Sequence, residues 1–185
     1  MLRIEIQHMP KNPYTRPGIK IHRHTGIAMH WVERPRATPE SVIQDWMERN
    51  TYGSAHYVIG MDGRIIECVP PYEVAYHSGS REYTPLKELF APYSSPNHTM
   101  IGIEMCNSDS TGWFPDQLLE SAVDLCAQHC MTYSLNPFRD IVTHNMLVGW
   151  KECPRLWVRE PWRLELFRKR VSLRINQIRQ DNAQN

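Results

Sequence analysis

The segment 56–69 places the tightest limit on how this chain can fold. Two mainly apolar runs, residues 56–60 and 64–69, flank the triplet Met61-Asp62-Gly63. An Asp-Gly pair supplies the positive φ angles that a tight hairpin turn needs, so the segment predicts two adjacent antiparallel strands. The other elements must therefore be arranged around a sheet that contains this hairpin.

Further strands and helices alternate along the chain. Apolar patterns predict buried strands over residues 25–32 and 100–106 and a short strand over 139–143. Helical spacing of apolar residues predicts helices over residues 38–49 and 115–133, and a final helix whose apolar stripe runs from Leu164 to Ile178. This interleaving predicts an α/β or α+β domain with a central mixed β-sheet flanked by helices.

We expect residues 1–185 to form one domain, because the pattern shows no linker and no repeat. Residues 1–20 contain three prolines and are expected to form an extended arm. Residues 70–98 and 144–157 are expected to be loops, and residues 179–185 a frayed tail.

The overall charge excludes some functions. A formal net charge of +1 does not favour a broad phosphate-binding surface, so nucleic acid is not an expected partner. No Sec signal and no apolar stretch of membrane-spanning length is visible, so membrane insertion is not expected. Five irregularly spaced cysteines fit reduced thiols or a metal ligand better than a disulfide framework, and indicate synthesis in a reducing cytoplasm.

One set of residues suggests metal chemistry. His30 lies near the end of one predicted strand, His144 directly follows another, and Cys153 lies nine residues further on. Two imidazoles and one thiolate leave the fourth position of a tetrahedral zinc ion open, as in catalytic zinc sites. The spacing by itself is not diagnostic, since no CxxC or HExxH motif accompanies it.

Six short segments strengthen this interpretation. They are, in order, GIAMH (26–30), SAHYVIGMDGRII (54–66), VAYHSG (74–79), IGIE (101–104), TH (143–144) and KECP (151–154). Together they resemble the N-acetylmuramoyl-L-alanine amidase family, which includes phage endolysins, sporulation autolysins and animal peptidoglycan recognition proteins. The resemblance covers roughly residues 20–170 and is strongest to the Bacillus-type endolysin and autolysin catalytic domains.

The resemblance implies the lysozyme-like fold of the phage amidases and a peptidoglycan substrate. It implies Zn²⁺ as the cofactor, with His30, His144 and Cys153 as ligands. Glu104 matches the catalytic glutamate of the bacterial members, and Lys151 matches a lysine close to the metal. The reaction implied is hydrolysis of the amide bond between N-acetylmuramic acid and L-alanine.

Two histidines in the matching segments, His56 and His77, are expected to line the substrate groove, with a hydrogen-bonded structural role as the alternative. The sequence departs from parts of the family at Ala55, where the short phage amidases carry a tyrosine, and at Tyr76, where many relatives have tryptophan. Asn145 follows His144 at a position where relatives vary.

Other interpretations stay open at this point. Glu104 could be paired with an arginine, and Lys151 could be an ordinary solvated charge. A module that binds peptidoglycan without cutting it, or a cysteine hydrolase that uses Cys153 and His144, are the competing functions. The expected site of action is the cell wall, reached without Sec export through phage, prophage or mother-cell lysis, and the sequence predicts no oligomeric state.

Overall fold

The computed structural model describes residues 2–49 and 51–184, and its described strands form a six-stranded mixed sheet. The strands are β1 (Ile4–Ile6), β2 (Gly26–Trp31), β3 (Tyr57–Ile59), β4 (Ile65–Glu67), β5 (Met100–Met105) and β6 (Ile141–Thr143). Their order across the sheet is β1-β4-β3-β5-β2-β6. The β3/β4 pair is antiparallel and the other pairs are parallel, so the predicted mixed sheet is confirmed.

The predicted hairpin is β3 and β4, although both strands are shorter than expected. Gly63 has a φ of 82°, a conformation that glycine adopts without strain, and the Gly60 N–H donates to the carbonyl of Arg64 at 2.9 Å. The N-terminal arm also joins the sheet, because β1 pairs in parallel with β4. That pairing was not expected from its proline-rich sequence.

Six α-helices are present among the described residues. They are α1 (Pro39–Glu48), α2 (Asp116–Tyr133), α3 (Pro137–Asp140), α4 (His144–Val148), α5 (Arg155–Arg159) and α6 (Trp162–Gln184). The start of α1 follows its sequence signal, since the Thr38 hydroxyl accepts the Ser41 N–H at 3.3 Å and the Ser41 hydroxyl accepts the Thr38 N–H at 3.1 Å. No helix in the described ranges is long and apolar enough to cross a membrane.

The two faces of the sheet are covered differently. Ile27 and Met29 of β2 belong to the main apolar core, together with residues of α2 and α6. Ala28 of β2 faces a smaller core with Phe90 and Leu147. The helices α2 and α6 therefore cover one face, while short segments cover the other and leave room for a site.

Three expectations need correction. Residues 144–157, predicted as a loop, contain α4 and the first three residues of α5, and both helices are too short to show helical periodicity. The expected tail from residue 179 continues α6 as far as Gln184, because a helix packed on α2 propagates at little cost; Asn185 lies outside the described residues. The loop 70–98 contains two short 3₁₀ helices, Pro85–Phe90 and Pro96–His98.

Candidate metal and catalytic site

Three parallel strands end at one edge of the sheet, and His30, Glu104 and His144 lie at or directly after these ends. His30 is aligned with Glu104 across the β2/β5 pair. His144 directly follows β6, which also pairs in parallel with β2. Open α/β sheets place ligands outside the carboxyl ends of their strands. The topology thus brings His30 and His144, 114 positions apart in the chain, into contact.

His30, His144 and Cys153 each present a potential ligand atom to one point, and these atoms all lie within 4.8 Å of one another. His30 Nδ1 is 3.1 Å from His144 Nδ1 and 3.7 Å from Cys153 Sγ. A tetrahedral zinc ion separates two nitrogen ligands by about 3.3 Å and a nitrogen from a sulfur by about 3.6 Å. The three residues therefore fit a zinc ion, both in their spacing and in their donor atoms.

Burial sets the protonation of these groups. It lowers the pKa of His30 well below the ordinary value and lowers that of His144 to about 4, with a further contribution from Lys151. Both imidazoles are therefore neutral and keep a lone pair for a metal. Burial raises the pKa of the Cys153 thiol, whose residue is only 1% exposed, so the cysteine-hydrolase alternative is not supported.

The first turn of α4 holds the loop that carries Lys151 and Cys153. The Asn145 side-chain amide donates to the Lys151 carbonyl at 2.9 Å, and the Asn145 backbone N–H donates to the Cys153 carbonyl at 3.0 Å. Sequence reasoning assigned no role to Asn145, because its partners become visible only when the loop folds back. Its position next to His144 couples the two ligand-bearing segments.

Glu104 carries an unpaired carboxylate oxygen beside the three ligands. Its Oε2 is buried and has no hydrogen-bond partner among the described residues. Burial raises the pKa of Glu104 to about 8, with nearby Lys151 opposing the change and Glu33 adding to it. An arginine partner, the structural alternative for this residue, is therefore not supported.

A cavity of about 520 Å³ opens above this group and is lined by Glu104, Lys151 and His144. Trp46, Tyr52 and Tyr76 also line it. A second cavity, of about 360 Å³, shares Trp46, Glu104 and Lys151 with the first. Lys151 therefore faces a cleft large enough for an extended substrate, and the solvated-charge alternative does not describe its surroundings.

The two histidines predicted to contact substrate differ in position. His77 borders the larger cavity, but its ring nitrogens lie 3.1 Å from His30 Nε2 and 3.1 Å from the Met100 carbonyl. His56 is fully buried, with Nε2 bonded to the Glu73 carbonyl and Nδ1 accepting the Gly102 N–H. The structural alternative therefore applies to His56, because both of its polar atoms are used inside the protein.

A model of the N-acetylmuramoyl-L-alanine amidase family matches residues 17–156, a range that includes all three potential metal ligands and Glu104. The chain belongs to this family. The candidate site therefore lies within the part of the chain that defines the family.

Two curated amidases match nearly the whole chain. A Bacillus licheniformis protein named "Probable N-acetylmuramoyl-L-alanine amidase" is 32% identical over 92% of this chain, and the match covers 48% of that protein. The amidase BlyA of Bacillus subtilis (strain 168) is 28% identical over 91% of this chain and 47% of its own length. The chain thus spans about half the length of the curated amidases that it matches.

Solved structures share the fold. PlyL superposes with a TM-score of 0.73 at 22% identity, covering 91% of this chain and 96% of PlyL. The PlyG catalytic domain superposes with a TM-score of 0.72 at 21% identity, covering 92% of this chain and 93% of that domain. The chain therefore has the same overall fold as these two proteins.

Proposed function

We propose that this chain hydrolyses the amide bond between N-acetylmuramic acid and L-alanine in bacterial peptidoglycan, using a zinc ion held by His30, His144 and Cys153. The observation that carries the proposal is the convergence of two neutral imidazoles and a thiol beside the unpaired oxygen of Glu104. Membership of the amidase family supports the choice of substrate bond. A zinc ion in this position acts as a Lewis acid toward a carbonyl oxygen and makes water more acidic.

Glu104 is suited to move the proton of the reaction. In the metal-free protein, burial raises the pKa of Glu104 to about 8, and the positive charge of a nearby zinc ion would favour the carboxylate form that can accept a proton. Its Oε2 accepts a proton from the attacking water and then donates it to the nitrogen of the departing L-alanine. The same carboxyl group thus acts first as a base and then as an acid, and it ends the cycle unchanged.

Lys151 supplies positive charge where negative charge develops. It lines both cavities together with Glu104, and its backbone is fixed by Asn145. As water adds to the scissile carbonyl, the oxygen becomes negative, and an ammonium group held nearby stabilises it. This role differs from that of Glu104, because it requires charge and no proton transfer.

The shape of the cleft suits a large, partly apolar substrate. Trp46, Tyr52 and Tyr76 offer ring surface beside the charged centre, and the two adjoining cavities extend away from it. A glycan strand with a peptide branch is a substrate of this kind. The proposed place of action is accordingly the bacterial cell wall.

Digestion of purified peptidoglycan tests the proposal. The protein is incubated with the substrate alone, with a chelator, and with the chelator followed by zinc, and the products are identified by mass spectrometry. We expect free peptides that begin with L-alanine, their loss on chelation and their return with zinc.

Variants make the test specific to the site. Cys153→Ala should lose bound zinc and activity, whereas Cys130→Ala, which removes an equally buried thiol from α2, should keep both. Binding to peptidoglycan without product under every metal condition would instead identify a recognition module. Activity that persists in zinc-free protein would contradict the role of the metal.

A further inference from the structure

The hydrogen bonds of His77 fix where its own proton lies. His77 Nε2 is 3.1 Å from the carbonyl oxygen of Met100. A carbonyl oxygen can only accept, so Nε2 of His77 carries hydrogen. The ring is buried, its polar contacts are a carbonyl, a hydroxyl and a second imidazole, and a buried imidazole without a carboxylate partner is neutral. Its other nitrogen, Nδ1, therefore has a free lone pair.

That lone pair determines the tautomer of His30. His77 Nδ1 is 3.1 Å from His30 Nε2, and the contact is stable only if His30 Nε2 carries hydrogen. Ser78 Oγ lies 2.9 Å from His77 Nδ1 and 3.5 Å from His30 Nε2. This hydroxyl can donate to His77 while it accepts from His30, so it favours the same arrangement.

A neutral imidazole that carries hydrogen on Nε2 has its lone pair on Nδ1. In His30, Nδ1 is the atom that lies 3.1 Å from His144 Nδ1 and 3.7 Å from Cys153 Sγ. We propose that His77 is a positioning residue that accepts the Nε2–H of His30 and so presents the Nδ1 lone pair to the metal. This inference rests on the proposed zinc function.

The surroundings of His77 hold its ring in place. Gly102 lies directly beneath it, and a Cβ atom at position 102 would come within 2.4 Å of His77 Cγ. The Asn97 side-chain oxygen accepts the backbone N–H groups of His77 at 3.2 Å and Ser78 at 2.8 Å. A ring clamped in this way can act as an oriented acceptor, because it does not have to be ordered when the metal binds.

Zinc affinity, measured by competition with a chelator of known affinity, tests the proposal on the full chain. His77→Leu removes the acceptor, and we expect affinity to fall roughly 10- to 100-fold, as for other groups that orient metal ligands. In His77→Asn, the side-chain oxygen is bonded to Cγ, as Nδ1 is in histidine, and it can accept the same hydrogen bond. This variant should recover zinc affinity to within a few-fold of the wild type. Ser78→Ala leaves the His77 nitrogen in place and should change affinity little.

A matched control separates positioning from packing. His129→Leu removes another buried histidine, which contacts Tyr57 and lies outside the site, and should reduce thermal stability without changing zinc affinity. Equal zinc affinities for His77→Leu and His129→Leu would overturn the proposal. The wild type could bind zinc, and the variants could show the expected zinc affinities, without any amidase activity. That result would contradict the proposed function and still support this role of His77.

The metal-free wild type gives a second measurement that needs no mutation. Nitrogen-15 NMR of the histidine rings reports which nitrogen carries hydrogen. We expect the Nε2–H tautomer for both His30 and His77. A His30 ring with hydrogen on Nδ1 would overturn the proposal, even if a His77 variant proved unable to fold.

Discussion

Replacing Glu104 with glutamine removes an ionisable group from the candidate site and keeps nearly the same shape. The pKa of this carboxyl is about 8, compared with 4.5 for an ordinary glutamate, because burial penalises the charged form. In the unfolded chain the group ionises as the pH rises through the ordinary value, whereas in the folded metal-free protein it stays protonated until about pH 8. The contribution of Glu104 to the free energy of unfolding is therefore greatest at low pH. It is lost as the pH rises from about 4.5 to about 8.

The size of the effect follows from the two pKa values. At about 1.4 kcal/mol for each pKa unit, the carboxyl costs about 3 kcal/mol of unfolding free energy at pH 7, and we expect about 2–3 kcal/mol because the residue is partly exposed. Glu104→Gln should recover this energy. For a domain of this size, the melting temperature should then rise by roughly 4–12 °C.

Chelator-treated wild type and variant are compared by thermal and denaturant unfolding near pH 4 and at pH 7. The two proteins should be equally stable near pH 4 and should diverge at pH 7, while the variant loses amidase activity. Glu73→Gln is the control of opposite sign, because Arg16 lies 2.8 Å from Glu73 and lowers its pKa. It should destabilise the protein at pH 7 by about 3–5 kcal/mol. A Glu104→Gln variant no more stable than the wild type at pH 7 would refute the argument and indicate a paired carboxylate.

Two further predictions concern charge in the site and the strand beneath it. Lys151→Met should lower kcat roughly 10²- to 10³-fold with zinc content unchanged. The control variant Lys169→Met, which replaces an exposed lysine, should leave kcat unaltered. Equal kcat values in the two variants would rule out the role of Lys151 in stabilising the oxyanion. Arg168 is buried and donates from Nε to the Ile141 carbonyl at 2.9 Å, so Arg168→Met should cost about 2–3 kcal/mol in chemical denaturation. Arg170→Met, which removes a more exposed ion pair, should cost less than about 1 kcal/mol, and a similar loss in both variants would contradict the importance of the buried contact.

Local patterns predicted most of the secondary structure. The Asp62-Gly63 hairpin and the helices that became α1 and α2 were anticipated because turn chemistry, capping and apolar spacing act within a few residues. The pairing of β1 with β4 was missed, since it joins segments about 60 positions apart through backbone hydrogen bonds that leave no side-chain pattern. The helices α4 and α5 were missed because five residues are too few to show a helical period.

The sequence by itself determined which side chains are available and, through the segments that resemble the amidases, which of them to group: His30, Glu104, His144, Lys151 and Cys153. It could not distinguish the roles of the two remaining histidines of those segments, His56 and His77. The tertiary structure decided that His77 lies against His30 while His56 is enclosed between backbone groups. The physical reason is that a ring nitrogen acquires its role from the partner opposite it, and such partners are set by strand register and loop packing rather than by neighbours in the chain.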